Sequence, residues 1–485
     1  MKAKYKIGAP KLRVGILFFS LSILACKKLI EVKAPITSIN AENVYESDAT
    51  AASVLTAVYA QISDLNNDLG NGSITSISLY AALSSDELWL YNKNDPRLLP
   101  FYKNDISDQT QDGNFWASIY PIIFISNSAI EGINNSTSLT PAIKQQLLGE
   151  AKFIRAFCYF YLTNLYGDVP LVLTLDYQAN KALDRAPKEK VYQQIINDLI
   201  DAKKLLSANY LNSDALTAYP VGSEQRVRPT SYAATALLAR VYLFTGDYIN
   251  AEAQATTVIN NSAIYTLSIL NDVFKKNSSE TIWSLQPVRT STQSNTGDGA
   301  FFILPETGPN AGSNPVYLSN NLVNNFEQED HRRVNWINSV VIGADTFYYA
   351  YKYKVGLIDT TTEEYIMMLR LAEQYLIRAE ARAKQNNIIE ATMDLNAVRN
   401  RAGLSNATYS TQIDILTAIL HERQLEFFTE MGHRWFDLKR TNNIDAVMTN
   451  ATLEKGGNWN SYKVLYPISQ SEIVLDPNLV QNFGY

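Results

Sequence analysis

The segment HERQLEFFTEMGHRW holds two of the three histidines in this chain, among glutamates and aromatic residues. His421 and Glu422 stand together as they do at the start of a zinc-protease helix. That site needs a second histidine four residues after the first, on the same helical face, and Leu425 occupies this position. His433 lies further along, beyond Gly432, a residue typical of a helix end. We therefore expect no shared metal site, and we interpret the segment as part of the structural framework.

Other catalytic arrangements lack a local motif. The sequence shows no glycine-rich phosphate loop, nucleophile elbow or cysteine–histidine cluster, and nothing local supports a Ser-His-Asp arrangement. Paired carboxylates stay open, because glycosidase acids can lie far apart in a chain, and Asp86 with Glu87 is the nearest candidate. Adjacent acids more often are solvated, start a helix or pair with a base. We therefore predict a binding protein without catalytic residues, metal or cofactor.

The charge distribution disfavours nucleic acid as a partner. The formal net charge is −6, and residues 1–25 contribute five basic residues and no acid. Without that segment, 37 basic residues face 48 acidic ones, which gives a net charge of −11. Phosphate backbones require clustered lysine and arginine, so we predict no nucleic-acid ligand. The charge is compatible with neutral ligands such as sugars.

The N-terminus has the anatomy of a secretory signal. A basic stretch precedes an apolar run that is too short to cross a bilayer comfortably. The tetrapeptide ILAC, which ends at Cys26, resembles the lipobox of bacterial lipoproteins, where the cysteine is acylated and becomes the first mature residue. We predict a lipoprotein signal peptide over residues 1–25 and lipidation at Cys26, with ordinary cleavage and an incidental cysteine as the alternative. Because no later stretch could span a membrane, we expect a protein that is tethered to the membrane by its lipid.

Helical periodicity dominates the rest of the chain. In GEAKFIRAFCYFYLTNLYGDVPL, large apolar residues recur at spacings of three and four, and Gly167 marks the end of the helix. The stretches LLARVYLFTGDYINAEAQATTVI and LIRAEARAKQNNIIEATMDLNAV superpose at a constant offset, which aligns Ala239 with Ala379 and Gly246 with Asn386. Small residues on both sides of a turn residue are typical of a tetratricopeptide helix hairpin. Chance similarity between two amphipathic helix pairs is the alternative.

We predict a single mature domain that is mainly α-helical with little β-structure. Two long stretches of weak periodicity interrupt the helices, and such segments inside a domain are usually functional. The expected ranges are 26–485 for the domain, about 40–65, 115–270 and 363–450 for the helical scaffold, and about 66–114 and 286–345 for the irregular lobes.

Five segments in a fixed order carry a family resemblance. After the lipobox come GEAKFIRAFCYFYLTNLYGDVPL, RPTSYAATALLARVYLFTGDYINAEAQATTVI, RLAEQYLIRAEARAKQNNIIEATMDLNAVRNRAGL, HERQLEFFTEMGHRWFDLKR and YPISQSEIVLDPNLVQNFGY. In this order they resemble the SusD/RagB family of outer-membrane nutrient-binding lipoproteins from Bacteroidetes, over nearly all of the mature chain. The departures are small, since Ser469 and Phe483 stand where the family often has proline, and Lys27 and Lys28 follow Cys26 in place of acids.

The resemblance implies a fold, a partner and a location. The fold is four tetratricopeptide-like helix pairs that carry an irregular ligand-binding lobe. The partner is a SusC-like TonB-dependent barrel, over whose outer mouth the lipoprotein sits as a hinged lid. The location is the outer membrane, with the cell surface expected and the periplasmic face left open. The resemblance also implies framework roles in packing and hydrogen bonding for Arg423, Glu426, His433, Arg434, Trp435 and Asp437.

A sugar ligand would set requirements for the site. Sugars present C–H faces and hydroxyl edges, so their sites need flat aromatic rings beside planar polar groups. The irregular stretches supply both kinds of residue, and for each tryptophan core packing is the alternative. The ligand-binding candidates are Trp89, Tyr91, Asn92, Arg289, Tyr317, Asn320 and Trp336.

Two classes of binding function follow. The favoured one is a non-catalytic lipoprotein that binds oligosaccharides or polysaccharide at the cell surface and delivers them to a SusC-like transporter. The alternative is the peptide-binding component of a RagA/RagB-like uptake system, and an outer-membrane glycosidase is a distant third. The sequence does not name the sugar, its linkage or any bound ion.

Overall fold

Helices make up most of the secondary structure. The computed structural model describes residues 43–63, 74–288, 294–356 and 361–485, so the signal segment and Cys26 lie outside the described residues. The elements described below belong to one unit, Tyr45–Tyr485. No helix within the described ranges combines the length and the apolar character that crossing a membrane requires.

Eighteen α-helices occur in the described ranges. In chain order they are α1 (Asp48–Ser63), α2 (Ile77–Ser84), α3 (Leu99–Tyr102), α4 (Phe115–Asn135), α5 (Pro141–Tyr166), α6 (Tyr177–Lys181), α7 (Lys188–Leu205), α8 (Ser231–Thr245), α9 (Tyr248–Ile259), α10 (Gly297–Phe302), α11 (Asn320–Asn324), α12 (His331–Asn335), α13 (Leu371–Lys384), α14 (Ile388–Arg401), α15 (Gln412–Phe427), α16 (His433–Arg440), α17 (Ile444–Glu454) and α18 (Gln470–Leu475).

The β-structure in the same ranges is limited to four separate two-stranded antiparallel ladders, β1–β5, β2–β3, β4–β8 and β6–β7. The prediction of a mainly helical fold with little β-structure is therefore confirmed. The strands are β1 (Leu88–Leu90), β2 (Val169–Pro170), β3 (Arg185–Ala186), β4 (Thr281–Leu285), β5 (Val316–Leu318), β6 (Ile337–Ile342), β7 (Asp345–Ala350) and β8 (Ile366–Arg370).

The two stretches that superpose in the sequence form equivalent helix hairpins. Helices α8 and α9 join through Gly246, at φ +77°, and α13 and α14 join through Asn386, at φ +65°. Both turns therefore use the left-handed conformation, which glycine adopts freely and asparagine adopts more easily than most other residues. The small residues Ala239 and Ala379 are fully buried, which lets the helices of each hairpin approach closely. The sequence prediction of a repeated helix pair is confirmed.

The two hairpins also pack directly on each other. Ala251 and Ala255 of α9 share one apolar cluster with Ile377 and Ala381 of α13. The packing order runs from α4 to α5, α7, α8, α9, α13 and α14, so the helices form one continuous stack. The residues between α9 and α13 leave this stack and return to it. They include strand β5, which carries part of the ligand-binding surface described below.

Helix α5 is the central element of this stack. Every residue from Phe153 to Tyr166 is buried, because α4 and α7 cover two sides and strand β4 presents Trp283 to a third. Arg155, the single charged residue from Phe153 to Tyr166, forms a buried ion pair with Asp198 of α7 at 2.7 Å. Burial raises the pKa of the Cys158 thiol, which makes it a small core residue rather than a nucleophile.

The segment with two histidines forms a buried polar framework. Arg423 of α15 bonds Asp437 of α16 at 2.7 Å, and Glu426 bonds Arg370 at 2.5 Å and Arg332 at 2.8 Å. These charges satisfy one another in the interior, where an unpaired charge would be costly.

The two histidines serve this framework in different ways. Burial lowers the pKa of His433 well below its usual value, and the neighbouring Arg240 and Arg423 lower it further, so the ring is neutral and packs against Phe427. His421 lies near the start of the same framework, in the middle of α15. Within the described residues, no cluster of three or more histidine, cysteine or acidic side chains could hold a metal ion.

The acidic pair considered as a glycosidase candidate also belongs to this framework. Arg434 holds Asp86 through two hydrogen bonds, of 2.8 and 2.7 Å. Burial by itself would raise the pKa of Asp86, but Arg434 lowers it below its ordinary value. Glu87 is buried, and this burial together with the charge of Asp86 raises its pKa to about 8. Asp86 thus forms an ion pair with Arg434, and Glu87 is enclosed in the interior.

Candidate ligand-binding surface

The ladder of β1 and β5 joins the two irregular stretches of the sequence. Its register pairs Leu88 with Leu318, Trp89 with Tyr317 and Leu90 with Val316. The backbone of Tyr91 extends the contact by donating to the carbonyl oxygen of Pro315 at 2.8 Å. Two of the aromatic candidates, Trp89 and Tyr317, are therefore direct cross-strand neighbours.

Alternation along these strands decides which side chains face outwards. Successive side chains of a strand point to opposite faces, so the leucine and valine residues of the ladder share one face. That face is buried in the core, with Leu88, Leu90, Val316 and Leu318 almost fully enclosed. The opposite face carries Trp89 and Tyr317, both partly exposed, and the alternation continues into Tyr91, which is 48% exposed.

Strand β7 adds a fourth ring that the sequence reasoning missed. Phe347 packs edge-on against Tyr317, with ring centroids 5.1 Å apart, and against Tyr91, at 5.9 Å. Phe347 lies on a hairpin with its turn at Gly343, where φ is +63°. The alternation around that turn could have identified the strand but not its neighbours. We call Trp89, Tyr91, Tyr317 and Phe347 the aromatic surface.

Buried residues behind the aromatic surface hold its rings in place. The ring of Tyr102 lies behind Trp89, with centroids 6.0 Å apart, and it is fully buried. The ammonium of Lys93 lies 6.0 Å from the Trp89 ring centroid. A backbone hydrogen bond fixes the other end of the ladder, since the backbone N–H of Ser319 donates to the backbone carbonyl oxygen of Glu87 at 2.8 Å. The rings are therefore held in position before any ligand arrives.

The polar candidates differ in position. Asn92 is partly buried, and its side-chain oxygen accepts a hydrogen bond from the backbone of Asn94 at 3.1 Å, so it shapes the turn after β1. Asn320 is exposed at the start of α11, immediately after the strand that carries Tyr317. Both residues flank the aromatic surface in the chain. Arg289 lies outside the described residues.

Trp336 was predicted as a ligand-binding residue, and this prediction is wrong. Its side chain is 0% exposed, and its indole N–H donates to the carbonyl oxygen of Leu270 at 2.8 Å. The ammonium of Lys352 lies 4.8 Å from the ring centroid and the guanidinium of Arg401 lies 5.3 Å from it. Trp336 is a core residue between charged groups of the framework. Its polar sequence neighbours gave a misleading impression of exposure.

The geometry defines a class of protein before any comparison is made. Short strands outside the helical stack present several aromatic rings at the surface, while Asp86 and Glu87, the acids nearest to Trp89 in the chain, are paired or enclosed. Flat rings of this kind stack against the C–H faces of sugars or against other flat groups. The arrangement is that of a binding protein.

Comparisons with known families agree with the fold. A family described as "Starch-binding associating with outer membrane" matches residues 30–243, and the "SusD family" matches residues 337–485. The chain belongs to the SusD/RagB family.

Similar proteins come from Bacteroidetes. The chain is 27% identical over 474 residues to a SusD-like protein P2 of Formosa agariphila, which covers 83% of this chain and 90% of that protein. It is 39% identical over 127 residues to the starch-binding protein SusD of Bacteroides thetaiotaomicron, a match that covers 25% of this chain and 21% of that one.

Solved structures share the fold. A surface glycan-binding protein A from Bacteroides uniformis superposes with a TM-score of 0.75 at 22% identity, covering 90% of this chain and 99% of that one. A laminarin-binding SusD-like protein superposes with a TM-score of 0.71 at 23% identity and covers the same shares. At this level of identity the likeness concerns the fold alone.

Proposed function

We propose that this protein binds oligosaccharides or polysaccharide on the aromatic surface without cleaving them. The observation that carries the proposal is the register of β1 and β5, which sets Trp89 and Tyr317 side by side on the outer face. Sugar rings stack on such side chains through their C–H faces, and neighbouring amides such as Asn92 or Asn320 can hydrogen-bond hydroxyl groups. Several similar proteins are named for binding starch, laminarin or surface glycans, which supports the same class of ligand.

The proposed location is the outer membrane, with a lipid on Cys26 as the anchor. The description of the family that matches residues 30–243 supports this location. In the proposed function, the bound glycan passes to a SusC-like TonB-dependent transporter. Binding of modest affinity suits this role, because the ligand must leave the aromatic surface again.

A direct binding comparison tests the proposal. Purified protein is applied to a glycan array and, in parallel, to a pool of peptides of matched size. Retention of glycans that is lost in Trp89→Ala and Tyr317→Ala supports the proposal. Retention of peptides alone supports the RagB-like alternative and overturns the glycan assignment.

Two further assays complete the test of the proposed function. Product analysis after incubation with each bound glycan tests for cleavage, and turnover that depends on a single carboxylate would contradict a purely binding role. Purification of the protein from native outer membranes tests for a SusC-like transporter in the same complex.

A further inference from the structure

A cavity lies outside the aromatic surface. It has a volume of about 780 Å³ and opens between the end of α5, the start of α7, α16 and the C-terminal segment. None of its lining residues belongs to the aromatic surface. The lining residues that matter below are Arg185, Lys188, Lys439, Arg440, Phe244 and Phe483.

Within the described residues, Arg185 in this wall hydrogen-bonds no carboxylate. Its guanidinium donates to the backbone carbonyl oxygens of Asp168 at 2.8 Å, Tyr166 at 3.0 Å and Val480 at 2.6 Å, and to the side-chain oxygen of Asn482 at 2.6 Å. These neutral acceptors orient the group, and the Asp168 carboxylate acts on its charge without a direct hydrogen bond. Burial lowers the pKa of Arg185.

Two lysines that line the same cavity also form no ion pair within the described residues. Lys439 donates to the backbone carbonyl oxygen of Asn164, and within the described ranges neither Lys439 nor Lys188 forms an ion pair. Burial lowers the pKa of Lys439 well below its usual value, and the nearby charge of Lys188 lowers it further. Lys188 is more exposed, and the protein atoms around its ammonium lower its pKa, whereas Glu189 and Asp168 act in the opposite direction. Three cations of one wall therefore form no direct ion pair within the described residues, although the charge of Asp168 acts on Arg185 and Lys188.

Arg440 provides an internal comparison. It lines the same cavity but forms ion pairs with Glu380 at 2.5 Å and with Asp437 at 2.8 Å. These carboxylates raise its pKa in spite of burial. In the described part of the chain, the wall thus holds one cation in direct ion pairs and three cations outside any ion pair.

Among the described residues, the three carboxylates of the cavity form no direct ion pair with these cations. Asp168 accepts from the backbone N–H of Lys188 at 2.8 Å, and Asp445 accepts from the indole N–H of Trp459 at 2.7 Å. Glu189, the third acid, is exposed to solvent.

Two phenylalanines complete the lining. Phe244 lies in the wall, and Phe483 is 90% exposed at the cavity although its ring is large and apolar. An exposed phenylalanine contributes little to the free energy of folding, because its apolar surface stays in water, but it can cover the apolar face of a bound ring. Cations with aromatic rings beside them match a ligand that combines a negative group with a flat C–H face.

We propose that this cavity binds a sugar residue that carries an oxyanion, with Arg185, Lys188 and Lys439 around the anion and Phe483 against the sugar ring. The oxyanion can be the carboxylate of a uronic acid or a sulfate ester, because both present oxygens to guanidinium and ammonium donors. The site is independent of the aromatic surface and of what that surface binds.

Titration with four probes tests this proposal on the purified full-length protein. The probes are glucuronic acid, glucose 6-sulfate, neutral glucose and inorganic sulfate. We expect one or both anionic sugars to bind at least about 10-fold more tightly than glucose, and to weaken at high ionic strength. The preferred anionic sugar identifies the source of the oxyanion. Inorganic sulfate is expected to bind more weakly than that sugar, because it lacks a face for Phe483.

Exposed residues supply the variants, so that folding is preserved. Lys188→Gln and Phe483→Ala should each weaken the anionic sugar by about 5-fold, whereas Lys190→Gln, a charge loss on the same exposed helix end, should not. Tyr317→Ala should leave this binding unchanged, which separates it from the proposed glycan surface. The proposal is overturned by equal binding of glucose, by no binding up to about 20 mM, by equal binding of inorganic sulfate, or by wild-type affinity in both variants.

Discussion

Trp89 and Tyr317 are direct cross-strand partners in the β1–β5 ladder, although 228 residues separate them in the chain. Their pairing brings the two irregular stretches together and creates an outward aromatic face. The backbone ladder and the buried leucines behind it fix the distance between the two rings. A ligand can therefore contact both without a conformational change of the strands.

Removing a ring from the aromatic surface should weaken glycan binding. Trp89→Ala and Tyr317→Ala are each expected to lower the affinity by about 5- to 10-fold, because a stacked ring contributes about 1–1.4 kcal/mol. Calorimetric titration with a glycan identified on the array measures the effect. Tyr177→Ala is the matched control, since Tyr177 is an exposed aromatic residue of α6 outside the surface. Equal losses in the control and the site variants would contradict the assignment.

The ion pair between Asp86 and Arg434 should be a large contributor to stability. Arg434→Ala leaves the mostly buried carboxylate of Asp86 without its partner, so we expect the free energy of unfolding to fall by about 3–5 kcal/mol. Urea unfolding followed by tryptophan fluorescence measures this change. The control is Lys275→Ala, which breaks the exposed pair with Asp272 and should cost about 1 kcal/mol or less. A similar cost for both variants would argue against the framework role of Arg434.

The two equivalent left-handed turns should tolerate glycine but should be destabilised by alanine. Gly246→Ala places a side chain at φ +77° with open space around it, so the cost of about 1 kcal/mol reflects backbone strain alone. Asn386→Gly should change the stability by less than about 0.5 kcal/mol, because glycine accepts the same conformation. Thermal unfolding of the two variants measures both effects. An unchanged stability of Gly246→Ala would contradict the left-handed turn.

Glu87 should make stability dependent on pH. Its pKa is raised to about 8 in the folded protein, against an ordinary value of 4.5, so the folded state holds a proton that the unfolded state has lost between these values. This contribution is fully present below about pH 4.5 and is lost as the pH rises towards 8.

Replacement of Glu87 isolates its effect on stability. Glu87→Gln should gain stability relative to the wild type by up to about 1 kcal/mol per pH unit between pH 5 and 8. Urea unfolding at several pH values gives the difference, and Glu390→Gln provides an exposed control. A difference that does not change with pH would contradict the buried, protonated state of Glu87.

The lipid anchor is testable independently of ligand binding. Cys26→Ser removes the thiol that acylation requires, so we expect the protein to move from the membrane fraction to the soluble fraction. Detergent partitioning of cell extracts and the intact mass of the mature protein measure this change. Cys158→Ser is the matched control, because Cys158 is buried in α5 and cannot carry a lipid there. Membrane retention of the Cys26→Ser variant would contradict the proposed anchor.

The sequence predicted the helical scaffold well because its signals are local. Gly246 and Asn386 mark equivalent turns, and the small residues around them repeat at a fixed offset. The framework role of Arg423 and Asp437 followed from the family resemblance, and their ion pair confirms it. Helix caps and apolar periodicity arise within a few residues, so a single sequence is enough to read them.

The candidate surface was only partly predictable because it depends on distant contacts. Trp89 and Trp336 both lie among polar residues in the sequence, yet the first is on the outer face of a ladder and the second is in the core. The difference comes from the partner strand of Trp89 and from the charged groups that enclose Trp336. Phe347 was missed because its neighbours Tyr91 and Tyr317 approach it only in the folded chain.

The direct packing of α9 on α13 has a consequence for the synthesis of the protein. A chain that emerges from its N-terminal end presents the apolar flank of α9, with Ala251 and Ala255, before α13 exists to cover it. More than one hundred residues must follow before Ile377 arrives. Until then this flank is an exposed apolar surface that is prone to aggregation, so the helical stack can be completed only after α13 has been synthesised.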